Sequence, residues 1–275
     1  RQYKVSQIEP QNFEKWTNLA RIENPVPFYQ IEKEKEPENI MLFEDALYLY
    51  SAGSKDVFNI NTTEKTDTSF QISRDFNFIL PVEEDILFFA SPDILLFITE
   101  SGWQEKNLQL PAGFNFSRGN SYFSDLYFLD ENKCEIIKYR YLGNFEWSAL
   151  QKWFKSKKSG ENCSQIKSMA IDSSFWFLNQ DNSVDNYYKG NYQKTIKFDF
   201  FPAPENISKV ETKANLPYLY FLEPAKKRII VTDKEGKIFK QFQSDKFDNL
   251  NDFTISDDGK IIWLLNGREV YKIEL

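Results

Sequence analysis

A short strand of the form apolar–polar–apolar recurs along this chain behind strands centred on an aromatic residue, at a nearly constant distance. The copies read Tyr29-Gln30-Ile31, Phe70-Gln71-Ile72, Leu108-Gln109-Leu110, Ile196-Lys197-Phe198 and Phe242-Gln243-Ser244. Tyr48 precedes Gln71 by 23 residues, Phe88 precedes Gln109 by 21, Trp176 precedes Lys197 by 21 and Tyr220 precedes Gln243 by 23. The last aromatic strand, around Trp263, has no follower, and the copy at Tyr29 has no aromatic strand before it. One half-unit at each end is what a ring leaves when its two termini complete one unit.

The aromatic centres Tyr48, Phe88, Tyr127, Trp176, Tyr220 and Trp263 are spaced 40, 39, 49, 44 and 43 residues apart. A period in the forties with four short strands per unit is the signature of a β-propeller. The second strands, such as Leu219-Tyr220-Phe221-Leu222, are apolar at every position, as strands covered on both faces must be. The sixth unit has only three strands, and the segment 28–32 matches the missing fourth. Pairing it there closes the ring and removes exposed edges. The expected fold is therefore all-β: a six-bladed β-propeller with four antiparallel strands per blade, the last blade closed by an N-terminal strand. The units fall near 39–72, 76–110, 114–155, 165–198, 206–244, and 252–275 plus 28–32, with residues 1–27 as an N-terminal extension or linker to a propeller over 28–275. Closure predicts that removing residues 1–34 destabilises the ring and removing 1–24 does not.

Two stretches depart from the repeat. In the extension, Tyr3, Val5 and Ile8 alternate like a strand, and Phe13, Trp16, Thr17 and Ala20 have helical spacing until Pro25 and Pro27 end it. Unit three carries an excess between Tyr141 and Ser164, read first as an outer strand followed by a loop. A short amphipathic helix over 144–155 competes with that reading.

Composition narrows the chemistry. Net charge is −7, with 34 Lys+Arg against 41 Asp+Glu, which argues against a nucleic-acid partner. The single basic cluster, Lys152, Lys155, Lys157 and Lys158, reads as a solvated loop. The chain has no histidine, which removes histidine-based acid–base chemistry, Ser-His-Asp triads and histidine-ligated metals. Its two cysteines, Cys134 and Cys163, lie in or beside one unit and form a disulfide if the compartment is oxidising. No metal site and no cofactor are expected. No apolar run is long enough to span a bilayer as a helix. Arg1 is not an initiator, so the chain is expected to be a processed product or a piece of a longer polypeptide. An extracytoplasmic or periplasmic bacterial setting and a monomeric ring complete the expectation.

The run Leu219-Tyr220-Phe221-Leu222-Glu223, followed by Lys227-Arg228-Ile229-Ile230-Val231-Thr232-Asp233-Lys234-Glu235-Gly236-Lys237-Ile238, resembles the NHL repeat. Ile255-Ser256-Asp257-Asp258-Gly259-Lys260-Ile261-Ile262-Trp263 is similar to the strand–turn–strand of TolB-like and WD40-like repeats. The resemblance covers about a tenth of the chain. It implies a six-bladed propeller and, more often than an enzyme, a platform for a protein or ligand.

Polar residues that start the inner strands of such a ring surround the mouth of its channel. Asn39, Asp75, Gln165, Asn206 and Asp252 are the ligand candidates; the competing reading is that they solvate the channel and cap strand ends. Trp147, Trp153, Tyr187 and Tyr188 are candidate anchors for a protein partner. No residue is assigned a catalytic role. The expectation is a non-catalytic scaffold for protein–protein interaction or ligand sensing. The alternative is a carboxylate-dependent, glycan-active enzyme with its site at the channel mouth.

Overall fold

Strands apolar at every position need cover on both faces, and this chain provides it by setting six sheets around an axis. The computed structural model describes residues 18–32, 36–82, 86–91, 94–99, 102–198 and 201–275. From axis to rim, blade one runs Asn39–Phe43, Ala46–Tyr50, Ser54–Asn61 and Asp67–Phe76; blade two runs Phe78–Val82, Ile86–Ser91, Ile94–Thr99 and Gly102–Asn107. Blade three begins Arg118–Tyr122, Asp125–Asp130 and Glu135–Gly143; blade four is Ile166–Ile171, Ser174–Asn179, Val184–Tyr188 and Asn191–Ile196. Blade five is Lys209–Glu211, Tyr218–Glu223, Arg228–Asp233 and Ile238–Gln243. In blade six, Leu250–Ile255, Ile261–Asn266 and Glu269–Glu274 are completed by Tyr29–Gln30 from the N-terminal side. Successive strands within a blade pair antiparallel.

The core is six wedges, each shared by two neighbouring blades. Leu80, Phe88 and Phe97 of blade two pack with Phe128 and Tyr139 of blade three; Tyr220 and Val231 of blade five pack with Phe253 and Leu264 of blade six. The wedge that closes the circle joins Leu47, Leu49 and Ile60 of blade one to Trp263, Leu265 and Val270 of blade six, with Ile31 inserted. Ile31 is 4% exposed, which stabilises the closure by about 2 kcal/mol. Tyr29 pairs with Val270 and Gln30 with Glu269. The Phe28 amide donates to the Val270 carbonyl (2.7 Å) and the Ile31 amide to the Arg268 carbonyl (2.9 Å).

Two features differ from the sequence expectation. The spacing that put Ala20 on a helix gives way to a strand, Leu19–Arg21, which runs parallel to the outer strand of blade five as its fifth member. The other residues of that pattern, and those of the Tyr3–Ile8 alternation, lie outside the described residues. Second, the outer edge of blade three is split into Glu146–Trp147 and Gln151–Lys152, both paired with Glu135–Gly143. The strand-and-loop reading holds there, and the competing helix does not form.

Beyond Lys152 the chain straps across blade four. The Lys155 and Ser156 amides donate to the Gly190 carbonyl (2.8 and 3.1 Å), and the Tyr192 amide donates to the Ser156 carbonyl (2.9 Å). Gly190 has φ +82°, and a Cβ there would sit 2.2 Å from the Trp153 carbonyl oxygen, so only glycine fits beneath the strap. A disulfide between Cys134 and Cys163 (Cα–Cα 5.0 Å) ties the end of the strap to the turn before the third strand of blade three. Of the basic cluster, Lys152 pairs with Glu135 (2.7 Å) and Lys158 with Asp185 (3.0 Å), while Lys157 donates to the Cys134 carbonyl. These lysines fasten the strap. Among the described residues no helix is long and apolar enough to cross a membrane.

Candidate functional site

The inner strands enclose a central cavity of about 1280 Å³. Its wall is one-sided in character. Blade two contributes Ile79, Leu80 and Pro81, and blade three contributes the neutral run Gly119–Ser124. The charged groups come from blade four (Lys167), blade five (Lys209, Glu211, Lys213), blade six (Asp252, Asp257) and blade one (Glu44). In a ring of six, blades two and five are opposite, so an apolar wall faces a charged one.

The charged wall is organised around Lys209. Residues Lys209-Val210-Glu211 alternate along an inner strand, which sends Val210 into the blade core and both charged side chains the other way. Lys209 Nζ lies 2.6 Å from Asp252 Oδ1, 3.2 Å from Glu211 Oε2 and 2.6 Å from the Phe253 carbonyl. Asp252 Oδ2 accepts from the Ile40 amide (2.9 Å), and Oδ1 also accepts from the Phe253 amide (2.8 Å). Glu211 Oε1 accepts from the Thr254 hydroxyl (2.9 Å) and the Ile255 amide (3.1 Å). The cluster therefore stitches blade five to blade six, and blade six to blade one.

Burial disfavours the Lys209 ammonium, but Asp252 and Glu211 outweigh it and hold Lys209 well above the ordinary lysine range. Lys209 is thus protonated at neutral pH; burial raises the Asp252 carboxyl from its usual range, and the Lys209 ammonium and the Ile40 amide work against that rise. Tyr50 also lines the cavity. Burial, reinforced by the Asp252 charge and offset in part by Lys209, pushes its hydroxyl up to about 12. It stays a proton donor at neutral pH. A second cationic group sits on blade four, where Lys167 Nζ donates to Asn182 Oδ1 (2.8 Å) and Asn206 Oδ1 (3.1 Å). Burial lowers the Lys167 ammonium from its usual range.

The five polar candidates scatter accordingly. Asn39 and Asp252 come together: the Asn39 amide group donates weakly to the Tyr50 carbonyl (3.4 Å), and Asp252 holds the next residue, Ile40. Asn206 meets Lys167 two blades away from Asn39. Gln165 is exposed in the turn before the inner strand of blade four. Asp75 is not at the mouth, because the outer strand of blade one runs on to Phe76 and carries it.

The aromatic candidates are mostly packing. Trp147 stands edge-on to Phe88 (5.1 Å between centroids) and Trp153 lies 3.9 Å from Phe175. Tyr187 is fully buried, its hydroxyl donating to Glu161. Trp147 and Trp153 are half-buried against these rings, Tyr187 is buried within the blade interface, and Tyr188 is exposed, at 42%. Sequence reasoning missed Lys209, Glu211 and Tyr50. The charged–apolar–charged alternation at 209–211, inside an inner strand, was the available signal.

No protein-family model and no curated protein sequence matches the chain. Solved structures do. Virginiamycin B lyase from Staphylococcus aureus, a catalytically inactive histidine variant with quinupristin, is 15% identical over 86% of this chain and 80% of its own, with a TM-score of 0.56. A gluconolactonase from Xanthomonas campestris is 12% identical over 90% and 88%, with a TM-score of 0.63. The calcium-binding protein regucalcin from Agrobacterium tumefaciens is 9% identical over 93% and 95%, also at 0.63. At these identities the likeness is one of fold.

It nonetheless corrects the expectation of a non-catalytic scaffold. The rings this chain is built like include a lyase and a gluconolactonase, so the absence of histidine and of a familiar motif does not place it among docking platforms. Calcium binding, as in regucalcin, can be tested against the residues present. Among the described residues no group of three or more His, Cys, Asp or Glu side chains converges. The two cavity carboxylates that do converge already grip the Lys209 ammonium. With the Lys209 ammonium in place, these residues do not fit a divalent cation.

Proposed function

We infer that this chain is an enzyme of the propeller type that hydrolyses a small hydroxylated substrate, of the sugar-lactone class, inside its central channel. The observation that carries the reading is the Lys209–Asp252–Glu211 cluster, with Tyr50 beside it, facing an apolar wall across the cavity. A sugar derivative has the matching shape, with an apolar ring face and a polar edge. The gluconolactonase likeness supports the substrate class.

The roles follow from what each group has left to give. Asp252 has both oxygens engaged by main-chain amides and Lys209, so it positions and does not transfer protons. That disfavours a glycosidase mechanism, which needs two independent carboxyl groups as acid and base. Lactone hydrolysis needs one base. Among the described residues Glu211 Oε2 is engaged by Lys209 alone, at 3.2 Å, and it takes a proton from water. The hydroxide oxygen bonds to the lactone carbonyl carbon, Tyr50 donates a hydrogen bond to the developing oxyanion, and the ring C–O bond breaks. Glu211 returns the proton to the departing alkoxide. The single chain makes all six blade interfaces, and the reading takes it to act as a monomer.

The test is binding of unreactive lactam analogues of sugar lactones, followed by thermal shift. Stabilisation by the lactam, retained in Glu211→Gln and lost when Ser208→Trp obstructs the channel wall, supports the reading. Stabilisation unaffected by Ser208→Trp, or none from any analogue, overturns it.

A further inference from the structure

The oxygen set around Lys209 has the chemistry of a hard-cation site. Two carboxylate oxygens, from Asp252 and Glu211, and one main-chain carbonyl, from Phe253, converge on a single point at 2.6, 3.2 and 2.6 Å. Two carboxylates and a carbonyl are the donors that calcium and magnesium take in proteins. Here the point is occupied by an ammonium whose three N–H groups match the three acceptors. The ring of Phe253 lies 5.2 Å from the same nitrogen and adds a cation–π contact.

The geometry points to Lys209 as a covalently tethered replacement for a divalent cation: its ammonium fills the cation position of the channel wall and makes the ring independent of metal. The argument runs through connectivity. The ammonium joins the inner strand of blade five to that of blade six, and through Asp252 and the Ile40 amide to blade one. An ion at that point would hold the same three blades together. A lysine does so without a binding equilibrium, because its charge is part of the chain. The remaining groups facing the point are neutral: Tyr50, pushed up by burial, and the Thr254 hydroxyl on Glu211. Among the described residues Lys209 is the cation paired with both Asp252 and Glu211, so removing the ammonium leaves two carboxyl groups facing an emptied position. The inference holds whether or not the channel turns over a lactone.

Shortening the side chain tests it. Lys209→Ala empties the position while keeping all three oxygen donors. We expect it to melt below wild type in EDTA and to recover with millimolar calcium or manganese, by a Tm rise on the order of 5 °C at saturating ion. Lys209→Met fills the same space with apolar atoms and is expected to show no such recovery. Wild type is expected to melt at one temperature in EDTA and in calcium. Wild-type stabilisation by calcium that disappears in Asp252→Asn would overturn the inference. So would a folded Lys209→Ala that ignores both ions. Should Lys209→Ala not fold even with calcium present, the wild-type comparison still decides.

Discussion

Truncating Asp252 should cost more stability than its small side chain suggests, because one carboxylate closes three blades. In Asp252→Ala the Ile40 amide, buried and 2.9 Å from Oδ2, loses its acceptor. An orphaned buried amide costs about 1–3 kcal/mol. Lys209 loses its 2.6 Å partner; breaking a buried pair costs about 3–5 kcal/mol. That second cost is softened, since Glu211 and the Phe253 carbonyl still hold the ammonium and its side chain is 28% exposed to the channel. A net loss of about 3 kcal/mol follows. Asp252→Asn keeps an oxygen for Ile40 and loses only the charge, so about 1–2 kcal/mol is expected. At roughly 2–4 °C per kcal/mol for a domain of this size, the alanine variant should melt about 6–12 °C lower. Urea unfolding of wild type and both variants measures the losses directly, with an unchanged slope showing that only stability moved. Asp257→Ala serves as control. Its carboxylate pairs with Lys213 while 88% exposed, and such pairs contribute under about 1 kcal/mol. If Asp252→Ala and Asp252→Asn both lie within about 0.5 kcal/mol of wild type, the latch contributes nothing and the reasoning fails.

Three further expectations follow from the fold. Removing residues 1–24 should lower Tm, contrary to what the repeat alone predicts, because Leu19 is buried and the Ile22 amide donates to Gln243 at 2.8 Å. Removing 1–34 should lower it further, through loss of Ile31 and the closing strand, and equal melting of the two truncations would refute the closure. Replacing Cys134 and Cys163 together by serine should cost about 3 kcal/mol, given the 29-residue separation; unfolding with and without reductant measures it, wild type moving and the variant not. Burial pushes the Asp125 carboxyl up, but Arg140 and Lys138 overcome this and hold it below the ordinary range. Its contribution is thus present above about pH 3.9, the unfolded value, and is lost as pH falls through the lower folded value. An acid titration of stability should be flatter at its low end in Asp125→Asn, and coincident curves would contradict the assignment.

The ring was legible because propeller blades repeat the same burial. A second strand covered on both faces admits only apolar residues, and Leu219–Leu222 or Ile261–Leu265 announce this at a regular interval. Closure was legible for the related reason that Phe28 and Ile31 carry outer-strand apolar residues with no unit of their own. The fifth strand at Leu19–Arg21 was not, since three residues pairing parallel to an edge leave no period. Nor were the roles of the aromatics. Trp147 and Trp153 sit in a non-repeating insertion, and only the folded strap shows them turned into the blade interfaces. At the channel, Asn39 and Asp252 were found because they begin or stand within inner strands. Lys209 and Glu211 passed unnoticed because charged residues in a half-exposed strand look like solvated surface until three blades bring Asp252, Phe253 and Tyr50 against them. Asp75 was misplaced because the outer strand of blade one is ten residues long and runs four residues past the repeat unit's own short strand core at Phe70–Ile72.

Hydrolysis of a panel of sugar lactones, followed by pH-stat in EDTA for wild type and Glu211→Gln, tests the central claim most directly. The account predicts turnover by wild type without divalent metal, and a loss of about 10²–10⁴-fold in Glu211→Gln, measured at a temperature where both proteins remain folded. Equal rates in wild type and variant across the panel would contradict it.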